Sequence, residues 1–218
     1  MQYLLNLWNE LDFGSIGALL LRLAAVFLCL TVHEVSHGLA AYALGDPTAR
    51  RQKRLSLNPL HHIDWLGLGC MVFCGFGWAK PVPVDMRYFK KPKRGMALSA
   101  LAGPVSNFIL TVALLFAMRF LEVFVPATAV TLWIYEFFLT AALLSVGLGL
   151  FNLLPIPPLD GSKVLFALLP DSAYMKLMRY ERYGMILLML LVFTGVGGDG
   201  LSRVIETVFL FLYQLIVI

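Results

Sequence analysis

Long uncharged stretches recur along the chain, separated by short charged segments. Between Arg94 and Arg119 lie 24 uncharged residues, and between Glu136 and Asp160 lie 23. A helix that crosses a bilayer needs ~20 apolar residues, so these stretches predict spans at 95–120 and 131–154. An earlier apolar stretch, 16–43, is interrupted by Arg22, His33, Glu34 and His37. Tyr183 to Gly198 is uncharged and slightly short; Leu201 to Ile218 has Arg203 and Glu206 near its start, then 12 uncharged residues. They predict further spans at 183–197 and 201–217. The pattern implies an all-α polytopic membrane protein with about five to six transmembrane helices.

Segment 65–79 (WLGLGCMVFCGFGWA) is also uncharged, but it is 15 residues long and holds four glycines, with Pro81 and Pro83 following. Glycine and proline weaken a helix interior. A Gly-rich re-entrant or β-like loop after the first long span is the expectation, tolerated at membrane depth where protein or a water cavity satisfies its backbone. The CxxxC pair Cys70 and Cys74 has no further ligands beside it and reads as buried apolar residues.

Composition agrees with the pattern. Of 218 residues, 60% are hydrophobic and 14% charged, against about 25% charged in soluble domains. A water-soluble domain of this size could not cover its surface so sparsely, and disorder is excluded by the same figures. The first 21 residues hold no Lys or Arg, so the charged region of a secretory signal is missing. With no repeat and no long polar tract, the expectation is one transmembrane domain over 1–218. Its core would cover 16–162, with C-terminal helices over 183–218.

Charge placement sets the orientation. Ten of the 17 basic residues fall in or at the edge of loop 44–93, and Lys163, Lys176, Arg179 and Arg182 form a second group. The connections near 121–130 and 197–200 hold Glu122 and Asp199 and no base. The positive-inside rule places loops 44–93 and 156–182 in the cytoplasm of a multi-pass cell-membrane protein. Lipid flanks account for these bases directly, so no nucleic-acid partner is expected.

The ionisable residues inside the first apolar stretch suggest chemistry. His33, Glu34 and His37 form H-E-x-x-H. On a helix, positions i and i+4 share a face, so both imidazoles can reach one metal ion, with Glu34 close enough to take a proton from a water there. In a soluble helix the same pattern can be a solvated face. Apolar flanks remove that option, and a charge at mid-bilayer costs at least ~2.5–3.5 kcal/mol, so a compensating zinc ion is favoured over a metal-free polar network. Catalytic zinc usually has three protein ligands. His61 and His62 lie in the basic loop. Asp160, in FNLLPIPPLDGSKVL, ends an uncharged stretch on the same expected side as His37, and Pro155, Pro157 and Pro158 break the helix there. Its bland alternative is an N-cap for a short helix beginning near Gly161.

Taken together, His33-Glu34-x-x-His37 in a membrane helix, Gly103-Pro104-Val105-Ser106-Asn107 in the next span, and Asn152-Leu153-Leu154-Pro155 leading to Leu159-Asp160-Gly161 resemble the site-2 proteases, the intramembrane zinc metalloproteases. The segments 54–64 and 77–83 are similar to the compact subgroup that lacks PDZ and CBS domains. The resemblance implies one Zn²⁺ per chain held by His33, His37 and Asp160, with Glu34 as catalytic base. It implies Asn152 and Asn107 as oxyanion or substrate contacts, although Asn also serves as interhelical glue. The substrate would be a transmembrane protein that must unwind before attack. Trp78, Lys80, Pro81 and His62 lie in a loop that could receive the unwound strand or simply form an interfacial turn. A metal transporter or zinc sensor is the competing class, but no paired repeat supports it. Oligomeric state is left open.

Overall fold

A computed structural model describes residues 16–74, 78–195 and 197–218. Eight α-helices are described: α1 (Ile16–Ala43), α2 (Thr48–Arg51), α3 (Trp65–Cys74), α4 (Pro92–Phe124), α5 (Ala129–Asn152), α6 (Asp160–Phe166), α7 (Asp171–Thr194) and α8 (Gly198–Ile216), with short 3₁₀ turns at Pro59–His61 and Met86–Tyr88. Local chemistry sets the boundaries. At the end of α1, Gly45 has φ +107, a left-handed cap that lets the Asp46 amide reach the Ala41 carbonyl at 2.9 Å. Pro92 opens α4, where its missing amide costs nothing. Thr128 and Thr131 form a reciprocal capping box at the start of α5.

Among the described residues, three helices are long and apolar enough to cross a membrane: α1, α4 and α5, with mean hydropathies of 2.1, 1.9 and 1.8. The expected spans at 183–197 and 201–217 fall largely on α7 and α8, which are not among the three. In α8 the reason is visible, since Asp199, Arg203 and Glu206 all sit in its first half.

The Gly-rich segment differs from the loop expected there. Trp65–Cys74 is helical, started by the Asp64 carboxylate, which accepts the Leu66 and Gly67 amides at 3.0 Å each. The run is uniformly apolar, so it carries no period-2 alternation to favour a strand, and the Asp64 cap decides in favour of helix. Residues 75–77 lie outside the described residues. Among the described residues, β character is limited to one antiparallel bridge, Ile63 with Ala79.

α4 packs along α5 and α1, and α6 sits against α4. Small residues allow the close approach: Ala25, Cys29, Ala141 and Ala142 are all buried in the core with Leu115, Met118 and Phe209. α4 thus lies beside the helix that carries H-E-x-x-H and beside the one that carries Asp160.

Candidate metal centre

α1 places His33 and His37 one turn apart, both buried. Their rings meet edge to face with centroids 4.6 Å apart. Each Nε2 lies 3.2 Å from the same oxygen, Oδ2 of Asp160. Asp160 reaches this position because α5 ends at Asn152 and the proline-rich 153–159 segment returns the chain. Asp160 is the first residue of α6 and Leu159 holds the N-cap position, so the carboxyl faces the imidazoles rather than capping its own helix. Gly161 keeps the turn tight: any Cβ there would strike the Leu153 and Leu154 carbonyls.

The donor set suits a cation. His37 Nδ1 lies 2.8 Å from the Ser99 carbonyl oxygen. A carbonyl only accepts, so Nδ1 carries the proton and the neutral ring presents a bare lone pair at Nε2. That lone pair faces a carboxylate oxygen at 3.2 Å. Two acceptors at this distance need a proton or a metal ion between them. When a proton lies there, burial, which raises the Asp160 pKa, is outweighed by donation from His33 and His37 and by the charge of Lys163, which hold the carboxyl well below the usual carboxylate range. The group is therefore ionised, as ligation requires. Gly103 of α4 closes the other side, where a Cβ would strike both imidazole rings.

Glu34 is half-buried, and its ligand atoms lie within 4.8 Å of those of His33 and His37. Its Oε2 accepts the Val82 amide at 2.8 Å. Val82 belongs to an extended strap, 80–85, which is pinned to the rest of the chain at three points. Arg54 Nη2 donates to the Lys80 carbonyl at 2.8 Å, the Lys80 amide donates to the His62 carbonyl at 2.9 Å, and the Asp85 amide donates to Asp46 Oδ2 at 2.7 Å. Pro81 and Pro83 have no amide to offer. The strap thus spends the amides of Lys80, Val82 and Asp85 on holding Glu34 and itself.

The other expected residues are more dispersed. Asn107 is fully buried and its Nδ2 donates to the Ser145 carbonyl at 3.3 Å. Asn152 is half-buried and donates to Leu148 of its own helix at 3.0 Å. Trp78 is half-buried, with its carbonyl against Gly67, while Lys80 and Pro81 are exposed. His62 is buried and its Nε2 donates to the Ser56 carbonyl at 2.8 Å. Sequence reasoning missed Ser99, Asp46 and Arg54. Ser99 meets His37 twice, its carbonyl accepting from Nδ1 and its hydroxyl donating to the His37 carbonyl at 3.1 Å. The run Asp46-Pro47-Thr48 reads as a cap and was a usable signal: Asp46 Oδ1 accepts the Thr48 amide at 2.9 Å.

The model of the family described as "Peptidase family M50" matches residues 118–195, a stretch that includes Asn152 and Asp160. The chain is 39% identical over 175 residues to a Bacillus subtilis (strain 168) protein named "Putative zinc metalloprotease YwhC", covering 79% of this chain and 80% of that one. The chain belongs to peptidase family M50. Within this family it is also similar to the Mycolicibacterium smegmatis "Putative zinc metalloprotease Rip2", at 31% identity over 82% of this chain and 69% of the relative. A more distant archaeal relative is the Methanocaldococcus jannaschii "Zinc metalloprotease MJ0392", at 29% identity over 54% of this chain and 38% of the relative. No solved structure matches the chain. M50 membership agrees with the site-2 protease resemblance read from the motifs.

Proposed function

We propose that this M50 chain is a zinc-dependent intramembrane endopeptidase in which His33, His37 and Asp160 hold the metal and Glu34 is the catalytic base. The single observation that carries the ligand assignment is the convergence of two buried imidazole nitrogens on one carboxylate oxygen at 3.2 Å each. Zinc, when bound, supplies Lewis acidity and lowers the pKa of a water toward ~7.

The chain's own residues do the rest. The His37 hydrogen bond to Ser99 fixes the ring's tautomer and direction. The Val82 amide holds one Glu34 oxygen, leaving Oε1 to take the water proton as the water oxygen bonds the scissile carbonyl carbon. The same carboxyl then gives the proton to the amine nitrogen as the C–N bond breaks. The charge developing on the carbonyl oxygen needs a neutral donor. Asn152 is assigned to it: one of its two N–H groups is used on Leu148 and the second is available. Asn107, one helical turn from Gly103, is the other candidate.

Further readings belong to the same proposal. The chain forms one domain with five to six spans, adding α7 and α8 to the three long apolar helices. The basic loop faces the cytoplasm of the cell membrane, so the metal centre opens to that side. The substrate is a transmembrane or membrane-proximal segment that unwinds near Trp78, Lys80 and Pro81.

The test uses the purified chain in detergent with a single-span model substrate. Cleavage is expected to stop with phenanthroline and to resume on adding zinc. Glu34→Gln is expected to retain zinc and to lose about 10²–10⁴-fold in turnover, the range for general-base catalysis. Undiminished cleavage by a zinc-loaded Glu34→Gln protein rejects the mechanism.

A further inference from the structure

Asp160 belongs to a turn that is held from two sides. On one side Gly161 is pressed against the Leu153 and Leu154 carbonyls at the end of α5. On the other side lies α7. A Cβ at Gly184 would stand 2.5 Å from the Pro157 carbonyl oxygen, 2.6 Å from its carbonyl carbon and 2.7 Å from its Cβ, all inside the 3.0 Å that real Cβ atoms keep. Two of these three atoms are backbone, which cannot swing aside as a flexible side chain can. α7 therefore meets the turn with no room for a side chain between them, and glycine is the residue that permits it.

Pro157 and Asp160 are joined by closed backbone. The Leu159 amide donates to the Ile156 carbonyl at 2.9 Å, and the Ser162 amide and hydroxyl donate to the Leu159 carbonyl at 3.1 and 2.7 Å. A push on Pro157 is therefore passed to Asp160 rather than absorbed between them. α7 is itself fastened at its start. Lys93 of α4 donates to the Leu169 carbonyl at 2.6 Å and to the Asp171 carboxylate at 2.7 Å. Its ammonium lies 5.6 Å from the centroid of the Tyr174 ring, and the buried Tyr174 hydroxyl reaches Met86 Sδ at 3.5 Å. Gly184 is buried, as is Leu188 one turn further on the same face.

We infer that α7 is a brace for the third metal ligand: Gly184, acting through Pro157, is a positioning residue that sets where the Asp160 carboxylate meets His33 and His37. The inference deepens the metal-centre reading above and rests on Asp160 being a ligand. Magnitudes support it. Relieving a methyl at position 184 takes a shift of at least about 0.5 Å, from 2.5 to 3.0 Å, whereas metal–ligand distances hold to within about 0.2 Å. α7 carries none of the expected ligands, yet its closeness to the turn gives it a hold on the centre.

The test measures zinc affinity by competition with a chelator, on the folded, monodisperse fraction of the full chain in detergent. Gly184→Ala is expected to bind zinc ~10–100-fold more weakly, the range for a residue that orients a ligand. Alanine is the better helix former, so helix propensity does not account for such a loss. Gly147→Ala is the matched control: its methyl meets Ile205 at an ordinary 3.7 Å, and it should keep wild-type affinity. Leu188→Ala loosens the same face of α7 without pushing on the turn. It should weaken zinc by less than Gly184→Ala does, and it carries the test if Gly184→Ala does not fold. Wild-type affinity in folded Gly184→Ala overturns the brace, even with lowered stability, because α7 then gives way and the glycine serves packing alone. Wild-type affinity in Leu188→Ala where Gly184→Ala does not fold, or an equal loss in Gly147→Ala, overturns it as well. Failure of the underlying reading is separately visible, as zinc retained by the Asp160→Ala protein.

Discussion

Two groups of buried polar residues lie within the helical core, and they are satisfied in opposite ways. Along the α4–α5 seam, Asn107, Thr111 and Ser145 are fully buried. Ser145 Oγ donates to the Asn107 carbonyl at 2.9 Å, Asn107 Nδ2 donates to the Ser145 carbonyl at 3.3 Å, and Thr111 Oγ1 reaches the Asn107 and Ala142 carbonyls. At the metal centre, by contrast, the Nε2 atoms of two imidazoles crowd one carboxylate oxygen. The seam's donors end on acceptors within the protein, whereas the centre gathers ligand atoms that a proton or a cation must bridge. Burial alone does not separate glue from chemistry here; the balance of donors against acceptors does. Asn107 Oδ1, unpartnered among the described atoms, is the seam's exception and keeps Asn107 a candidate contact for substrate.

The largest effect that would break this contrast comes from removing the shared acceptor. Asp160→Ala should lose zinc affinity by more than the ~10–100-fold that an outer-shell partner costs, measured by metal content after dialysis, with cleavage lost in parallel. Retention of stoichiometric zinc would mean that Glu34 replaces Asp160 as a ligand, as its place within 4.8 Å of both histidines allows, and the division of roles would fail.

The spacing of His33, Glu34 and His37 was legible because a helix converts i and i+4 into one face. Asp160 was legible because a charge ending an apolar run has few reasons to be there, although its N-cap alternative could only be dismissed by seeing Leu159 in the cap position. The three long spans could be read from length alone. What was not legible rests on backbone and on context. The Ser99 carbonyl that orients His37 is a backbone group, and the one side-chain trace, the Ser99 hydroxyl on the His37 carbonyl, lies 62 residues away in sequence; the Val82 amide that holds Glu34 depends on where Arg54 and Asp46 pin the strap. The helix at 65–74 was misread because a uniformly apolar run has no period, and the Asp64 cap that decides it sits just outside the run.

Gly103→Ala sharpens the contrast at intermediate size. The added methyl collides with both imidazole rings, which cannot rotate away without breaking the Ser99 hydrogen bond or the convergence on Asp160. A loss of roughly 10²-fold in kcat/KM is expected, on the scale of a misplacement of about 1 Å in a reacting group. Unfolding in denaturant should change much less, because the clash is confined to the centre. Wild-type turnover would show that Gly103 serves only helix packing.

The smallest effect belongs to the seam, and it tests the contrast from the other side. Thr111→Val keeps shape and removes a hydroxyl that donates to carbonyls on α4 and α5. Interhelical hydrogen bonds of this kind in membranes average ~0.6 kcal/mol and reach ~1.7, so unfolding should shift by an amount in that range. Zinc content and turnover per folded molecule should stay within about twofold, since half a kcal/mol changes an equilibrium constant by only that much. The pairing logic makes the sign clear: both carbonyls keep a second lone pair and their helical partners, so nothing is left unmet when the hydroxyl goes. If Thr111→Val instead strips zinc or cuts turnover tenfold, the seam transmits to the metal centre through Asn107 and α4, and the two regions are one device rather than two.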